Sequence, residues 1–99
     1  MDIKKIILFL VLLVSTNAID VYVTRYVYQA NLLVYEVRYS YKADFNIFKA
    51  NNIITKDFFV WRFVKYPYEA DIKIYFVNYD YQANLKVYFV KYFYQRGRK

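Results

Sequence analysis

Residues 72–84 read IKIYFVNYDYQAN, and residues 85–97 read LKVYFVKYFYQRG. Set one beneath the other, they share an apolar first place, Lys second, a β-branched third, Tyr-Phe-Val next, and Tyr at the eighth and tenth places. The same frame extends back along the chain. Residues 19–31 are IDVYVTRYVYQAN, 32–44 are LLVYEVRYSYKAD, 45–57 are FNIFKANNIITKD, and 58–71 are FFVWRFVKYPYEAD with one extra residue. Six tandem copies of about thirteen residues thus fill the chain from Ile19 onward. All 14 tyrosines occupy the fourth, eighth or tenth place of a copy.

The unit is chemically a strand unit. Val, Ile, Tyr and Phe fit a pleated, half-buried surface better than a helix. Val23-Thr24-Arg25-Tyr26-Val27-Tyr28 and Phe76-Val77-Asn78-Tyr79-Asp80-Tyr81 alternate in the period-two manner of strands. At the third and fourth places the alternation slips, because Val21-Tyr22, Val34-Tyr35 and Val87-Tyr88 are adjacent and both large. A bulge, or a strand covered on both faces, would account for that. The expected fold is therefore all-β, six strand-turn repeats in one compact domain over 19–97.

The last place of each copy is Asn31, Asp44, Asp57, Asp71, Asn84 and Gly97, residue types that tolerate a left-handed backbone. A tight turn is expected at each. Ala30, Ala43, Ala70 and Ala83 precede four of them, which fits close approach of another segment. Lys56 and Arg96 break that rule and point to an open side of the fold. Pro67 is expected at an edge or bulge. The third copy, with Asn52 and Ile54 in tyrosine places, is the most divergent.

Ahead of the repeats stand Lys4 and Lys5, the apolar run from Ile6 to Val14, and then Ser15-Thr16-Asn17-Ala18. A charged start, a short apolar stretch and small residues before an alanine make a signal peptide over 1–18. The run is nine residues long, whereas a membrane-spanning helix needs roughly 20. Export to the periplasm, the cell surface or the medium is expected, with no transmembrane span after cleavage. Cleavage after Ala18 would begin the mature chain where the first repeat begins. The chain has no Cys, so neither disulfides nor thiolate metal sites can support so small a domain. Its 15 Lys+Arg against 8 Asp+Glu give a net charge of +7, and Arg98-Lys99 form a basic tail.

The inventory argues against an enzyme and against a bound cofactor or metal. There is no His and no Cys to pair with a hydroxyl or thiol nucleophile. One Gly cannot build a phosphate-cradling loop. A pair of carboxylates is the equipment for cleaving a glycosidic bond, but Asp44, Asp57 and Asp71 fall in the turn place. What remains is binding. Tyr28, Tyr41, Tyr81 and Tyr94, with Lys73, Lys86 and Lys91, are the candidate ligand contacts, as a platform for stacking beside positive charge. Nothing marks a base-reading nucleic-acid module. The partner is left open, and binding of an anionic or carbohydrate surface polymer is the alternative to a purely structural role.

The segments at 26–31, 39–44, 66–71 and 79–84 each read Tyr-x-Tyr, then Gln, Lys or Glu, then Ala and Asn or Asp. Four in register, behind a short leader, resemble the septoil knot family of small β proteins. The resemblance implies a compact, intertwined monomer whose chain traces a seven-crossing knot, without an established activity. Without it, a short β-solenoid or β-meander would be the expectation. A non-catalytic, highly stable exported protein with a structural or interaction role is the function expected.

Overall fold

The computed structural model describes residues 19–50 and 59–98. The expected leader at 1–18, Asn52, Ile54, Lys56 and Asp57 of the divergent copy, and Lys99 lie outside the described residues. Among those described, no helix is long and apolar enough to cross a membrane.

Seven strands form. They are β1 (Ile19–Val23), β2 (Leu32–Glu36), β3 (Phe45–Lys49), β4 (Val60–Phe63), β5 (Ile72–Phe76), β6 (Leu85–Val90) and β7 (Gly97–Arg98). The sheet order is β4-β1-β5-β2-β6-β3, and β3 returns to β4, so the first six close into a barrel. Every pairing among those six is parallel, and β7 adds antiparallel to β3. A meander or a solenoid would set consecutive strands side by side. Here β5 lies between β1 and β2, and β6 between β2 and β3, so both alternatives fail.

One register rule builds the barrel. The third residue of one strand faces the first of the next: Val21 faces Ile72, Ile74 faces Leu32, Val34 faces Leu85, and Val87 faces Phe45. Trp61 takes the third-residue role in β4, facing Ile19, and is itself faced by Lys49, the fifth residue of β3. The stagger is two residues at every seam. An even stagger keeps inward-facing residues in phase around a closed sheet. Equivalent positions on all six strands therefore share one level about the axis.

The core follows from that level structure. Val21, Val34, Ile47, Trp61, Ile74 and Val87 form a fully buried layer at the middle of the barrel. Ile19, Leu32, Phe45, Ile72 and Leu85 form a second buried layer, with Phe59 packed against it. At the opposite mouth, Phe63 and Phe76 meet Phe89 edge-on at 6.0 and 6.4 Å, above Trp61. The Lys49 ammonium sits 4.4 Å from the Phe89 ring centre and covers this end. Tyr22, Tyr35, Tyr75 and Tyr88, at the fourth place, face outward yet are half-buried. The adjacent large residues thus mark strands covered on both faces, as parallel strands usually are; a bulge is not needed.

Four sequence expectations need correction. The strands end at Val23 and Phe76, so the alternating stretches beyond them are crossovers that contain 3₁₀ turns. No described non-glycine residue has positive φ, so the Asn/Asp place is not a left-handed turn. Instead its side chain extends the sheet. Asn31 donates its N–H to the Lys73 carbonyl at 2.7 Å, and its Oδ1 accepts the Lys73 N–H at 2.9 Å. Asp44 does the same with Lys86, Asp71 with Asp20, and Asn84 with Leu33. Each carboxylate or amide imitates a backbone carbonyl where the strand has not yet begun. Pro67 opens a 3₁₀ turn and lies at no strand edge, because its fixed φ suits that first turn position. Arg98, expected in a solvated tail, pairs through its backbone with Phe45.

Candidate functional site

Among the described residues, five returns from the end of one strand to the start of the next each carry a single 3₁₀ turn. These are η1 (Val27–Gln29), η2 (Ser40–Lys42), η3 (Pro67–Glu69), η4 (Asp80–Gln82) and η5 (Phe93–Gln95). They lie outside the barrel, η1 against β5, η2 against β6, η3 against β1, η4 against β2 and η5 against β3. Since β1, β5, β2, β6 and β3 are consecutive around the barrel, the five turns form a perimeter.

The local geometry of each turn explains the Tyr-x-Tyr spacing. The first tyrosine is extended, as at Tyr26 with φ −128° and ψ 138°, and the chain then coils once. That coil brings the two rings, two residues apart, onto the same side. All five pairs, Tyr26–Tyr28, Tyr39–Tyr41, Tyr66–Tyr68, Tyr79–Tyr81 and Tyr92–Tyr94, stack with ring centres 5.5 to 5.8 Å apart and planes within 8° to 19°. In two turns a glutamine adds a brace, Gln82 Oε1 accepting the Tyr79 N–H and Gln95 Oε1 that of Tyr92.

These rings are not core. The second member of each pair is 73% to 83% exposed and the first 49% to 58%. Stacking contributes about 0.5–1.5 kcal/mol per pair, which restrains the rings without covering them. An exposed basic residue, Arg25, Arg38, Lys65 or Lys91, immediately precedes four of the five pairs; Asn78 stands in that place before Tyr79. The Lys91 ammonium lies 5.5 Å from the centre of the Tyr92 ring.

The residues singled out from the sequence are therefore distributed. Tyr28, Tyr41, Tyr81 and Tyr94 are the outer rings of η1, η2, η4 and η5, each over a different strand, and form no single patch. Lys73 and Lys86 face outward from the second positions of β5 and β6, in grooves between crossovers. Sequence reasoning missed Tyr68, the most exposed ring, although Tyr66-Pro67-Tyr68 carries the same spacing. It also missed Arg38 and Lys42.

Three grooves lie beside the crossovers, two of them at equivalent places between neighbouring turns. One, of ≈ 450 Å³, is lined by Lys49, Arg62, Lys65, Tyr66 and Glu69 among others. A second, of ≈ 500 Å³, is lined by Tyr35, Val37, Arg38, Tyr39, Lys42, Asp80 and Lys86. A third, of ≈ 290 Å³, is lined by Tyr22, Thr24, Gln29, Pro67 and Lys73. In the first, Arg62 grips both Asp20 carboxylate oxygens at 2.8 Å, and that hydrogen bond raises the guanidinium pKa above its already high value. Arg62 therefore stays charged throughout the working range of pH. Three of the chain's acids are committed to structure: Asp20 to Arg62, and Asp44 and Asp71 to backbone N–H groups. Among the described residues, no three of His, Cys, Asp and Glu are grouped as metal ligands.

Fold and surface together define a closed, parallel six-stranded β-barrel, wrapped by crossovers that display stacked tyrosines. A family profile described as the 7(1) septoil knot domain matches residues 18–99, and the chain belongs to that family. No curated protein matches the chain, and no solved structure does.

Proposed function

We propose that the protein is an exported, non-catalytic binding protein that holds an anionic or carbohydrate polymer on its tyrosine perimeter. The observation that carries this reading is the exposure of ten tyrosine rings in five stacked pairs. The pairs make no single patch, but each presents two rings to solvent at an equivalent place on successive crossovers. Tyrosine supplies large, rigid, amphipathic contact at low entropic cost, and rings restrained by stacking lose less on binding. Adjacent Arg and Lys supply attraction for anionic groups that salt would weaken. Repetition around the perimeter suits a polymer, because weak contacts at successive turns combine by avidity.

Export rests on the leader pattern at 1–18. The repeat and the knot belong to the same reading. Each described crossover passes outside a strand from a distant part of the chain, which is how a repeated unit would wind a seven-crossing knot about the barrel. Such a monomer would unfold slowly, as suits a protein without disulfides outside the cell.

Binding of the purified protein to immobilised heparin, alginate and a neutral glucan tests the reading. Replacing Tyr28, Tyr41, Tyr81 and Tyr94 together by Ser should weaken capture at least tenfold while circular dichroism stays unchanged. Undiminished capture by the folded quadruple variant would refute it.

A further inference from the structure

We propose that the groove between η2 and η4 is a subsite for one sugar unit bearing an anionic substituent, namely sulfate, phosphate or carboxylate. The inference rests on the polymer-binding reading and names where the charge of that polymer is held.

The Tyr22 groove is an internal control, since an equivalent backbone frame carries different side chains there, and the Arg62 groove is a second comparison. In the Arg62 groove, Arg62 is bound to Asp20 at 2.8 Å, the Lys49 ammonium lies over Phe89, and Lys65 shares the lining with the Glu69 carboxylate. In the Tyr22 groove the lining has a single cation, Lys73. The ≈ 500 Å³ groove has three, Arg38 and Lys42 on the η2 crossover and Lys86 on the floor. No ion pair engages Arg38, Lys42 or Lys86 among the described residues, and the carboxylate of Asp80 stands on the facing crossover. Three cationic residues line one concave space, and no ion pair binds a counter-charge to them among the described residues. That is the electrostatic requirement for an anion site.

The groups are also held in place. The Lys86 backbone is fixed on both sides by Asp44, which accepts its N–H at 2.9 Å and donates to its carbonyl at 2.8 Å. The Lys42 ammonium lies 6.0 Å from the ring centres of both Tyr39 and Tyr41, which are themselves stacked. A planar guanidinium and two ammonium groups then surround the anion, while the Tyr39 ring offers an apolar edge to the C–H face of a sugar. The volume is in the range of small-ligand sites. Asp80 decides between polymer classes. A carboxylate in the groove accepts hydroxyl protons and repels closely spaced phosphates, which favours a hydroxyl-rich sugar chain over a nucleic acid strand.

Isothermal titration of the purified protein tests this, with a sulfated heparin tetrasaccharide, a galacturonate tetramer, a glycerol-phosphate oligomer, neutral cellotetraose and a ten-residue oligothymidylate. At least one anionic probe should bind tenfold or more tighter than cellotetraose, and the tightest of the three identifies the substituent. Arg38→Ala and Lys86→Ala should each weaken that probe at least tenfold, and Lys49→Ala, the same charge change outside the groove, by less than twofold. Equal losses in all three variants would overturn the subsite and leave a diffuse charge effect. Retained affinity in Arg38→Ala and Lys86→Ala, with loss in the quadruple tyrosine variant, would overturn the subsite and keep the polymer reading. Tighter binding of oligothymidylate than of any sugar would overturn the choice of ligand. Failure of the wild-type protein to bind every probe and every immobilised polymer would overturn both.

Discussion

The Asp71 carboxylate accepts the backbone N–H of Asp20 at 2.9 Å, while the Asp71 N–H donates to the Asp20 carbonyl at 2.8 Å. A side chain thereby completes a two-bond bridge of the kind that backbone makes in a ladder. The same bridge recurs at Asn31, Asp44 and Asn84, so four crossovers are tied to the strand beside them by a residue that precedes the next strand.

What the bridge requires is an oxygen acceptor, whatever its charge. Asp44→Asn keeps that acceptor and should change stability by under about 0.5 kcal/mol. Asp44→Ala leaves the part-buried Lys86 N–H without its partner and should cost about 1–2 kcal/mol. Urea unfolding of the two variants separates them. Equal losses would show that charge, not acceptance, is what Asp44 contributes.

Trp61 is fully buried in the middle layer, whereas Tyr79 is 58% exposed. Trp61→Ala should destabilise by about 3–5 kcal/mol. Tyr79→Ala should lose only its stacking on Tyr81, about 0.5–1.5 kcal/mol. As the sole tryptophan, Trp61 should also resist acrylamide quenching until the barrel opens. The Trp61 Nε1 is buried and meets no acceptor among the described residues. Trp61→Phe, which removes that donor, should therefore cost less than the lost volume alone implies.

Gly97 has φ 144°, a conformation that disfavours side chains, and a Cβ there would meet nothing within 4 Å. The cost of Gly97→Ala is therefore conformational, about 1 kcal/mol or somewhat more. It should appear locally, as faster hydrogen exchange where β7 pairs with β3. A variant indistinguishable from the parent in that exchange would mean that β7 does not depend on this backbone angle.

A closed barrel has few edges at which to open, and the proposed knot would leave the chain fewer routes out. Amides of the middle layer, at Val21, Val34, Ile74 and Val87, should be the slowest to exchange and should persist for many hours at neutral pH. Loss of all of them within minutes would count against the knotted reading.

The thirteen-residue spacing was legible before any coordinates. β1, β2, β3, β5 and β6 begin at Ile19, Leu32, Phe45, Ile72 and Leu85, each the first residue of a copy. The inward-facing third place was legible too, because Val21, Val34, Ile74 and Val87 are β-branched and recur. Strand order was not, since nothing local tells Val21 that its partner is Ile72 rather than Leu32. Such pairing is decided by closure of the whole sheet. The tyrosines misled for a specific reason. Rings two residues apart satisfy a strand period, and also a single 3₁₀ turn entered from an extended residue. The fourth copy carries one extra residue. The interval from Trp61 to Tyr66 equals that from Val21 to Tyr26, so the extra residue lies before Trp61. As for function, Lys73, Lys86 and the outer rings could be named from recurrence. Arg38 and Lys42 could not, because only the crossover brings them above Lys86.

The most direct test of the central claim is a two-dimensional NMR titration of the isotope-labelled protein with a heparin tetrasaccharide. Shifts should concentrate on the tyrosine pairs and on Arg38, Lys42 and Lys86, while Val21, Val34, Trp61 and Val87 stay still. Shifts confined to the basic C-terminal residues, or none at millimolar tetrasaccharide, would contradict the claim that the tyrosine perimeter is the working surface of this protein.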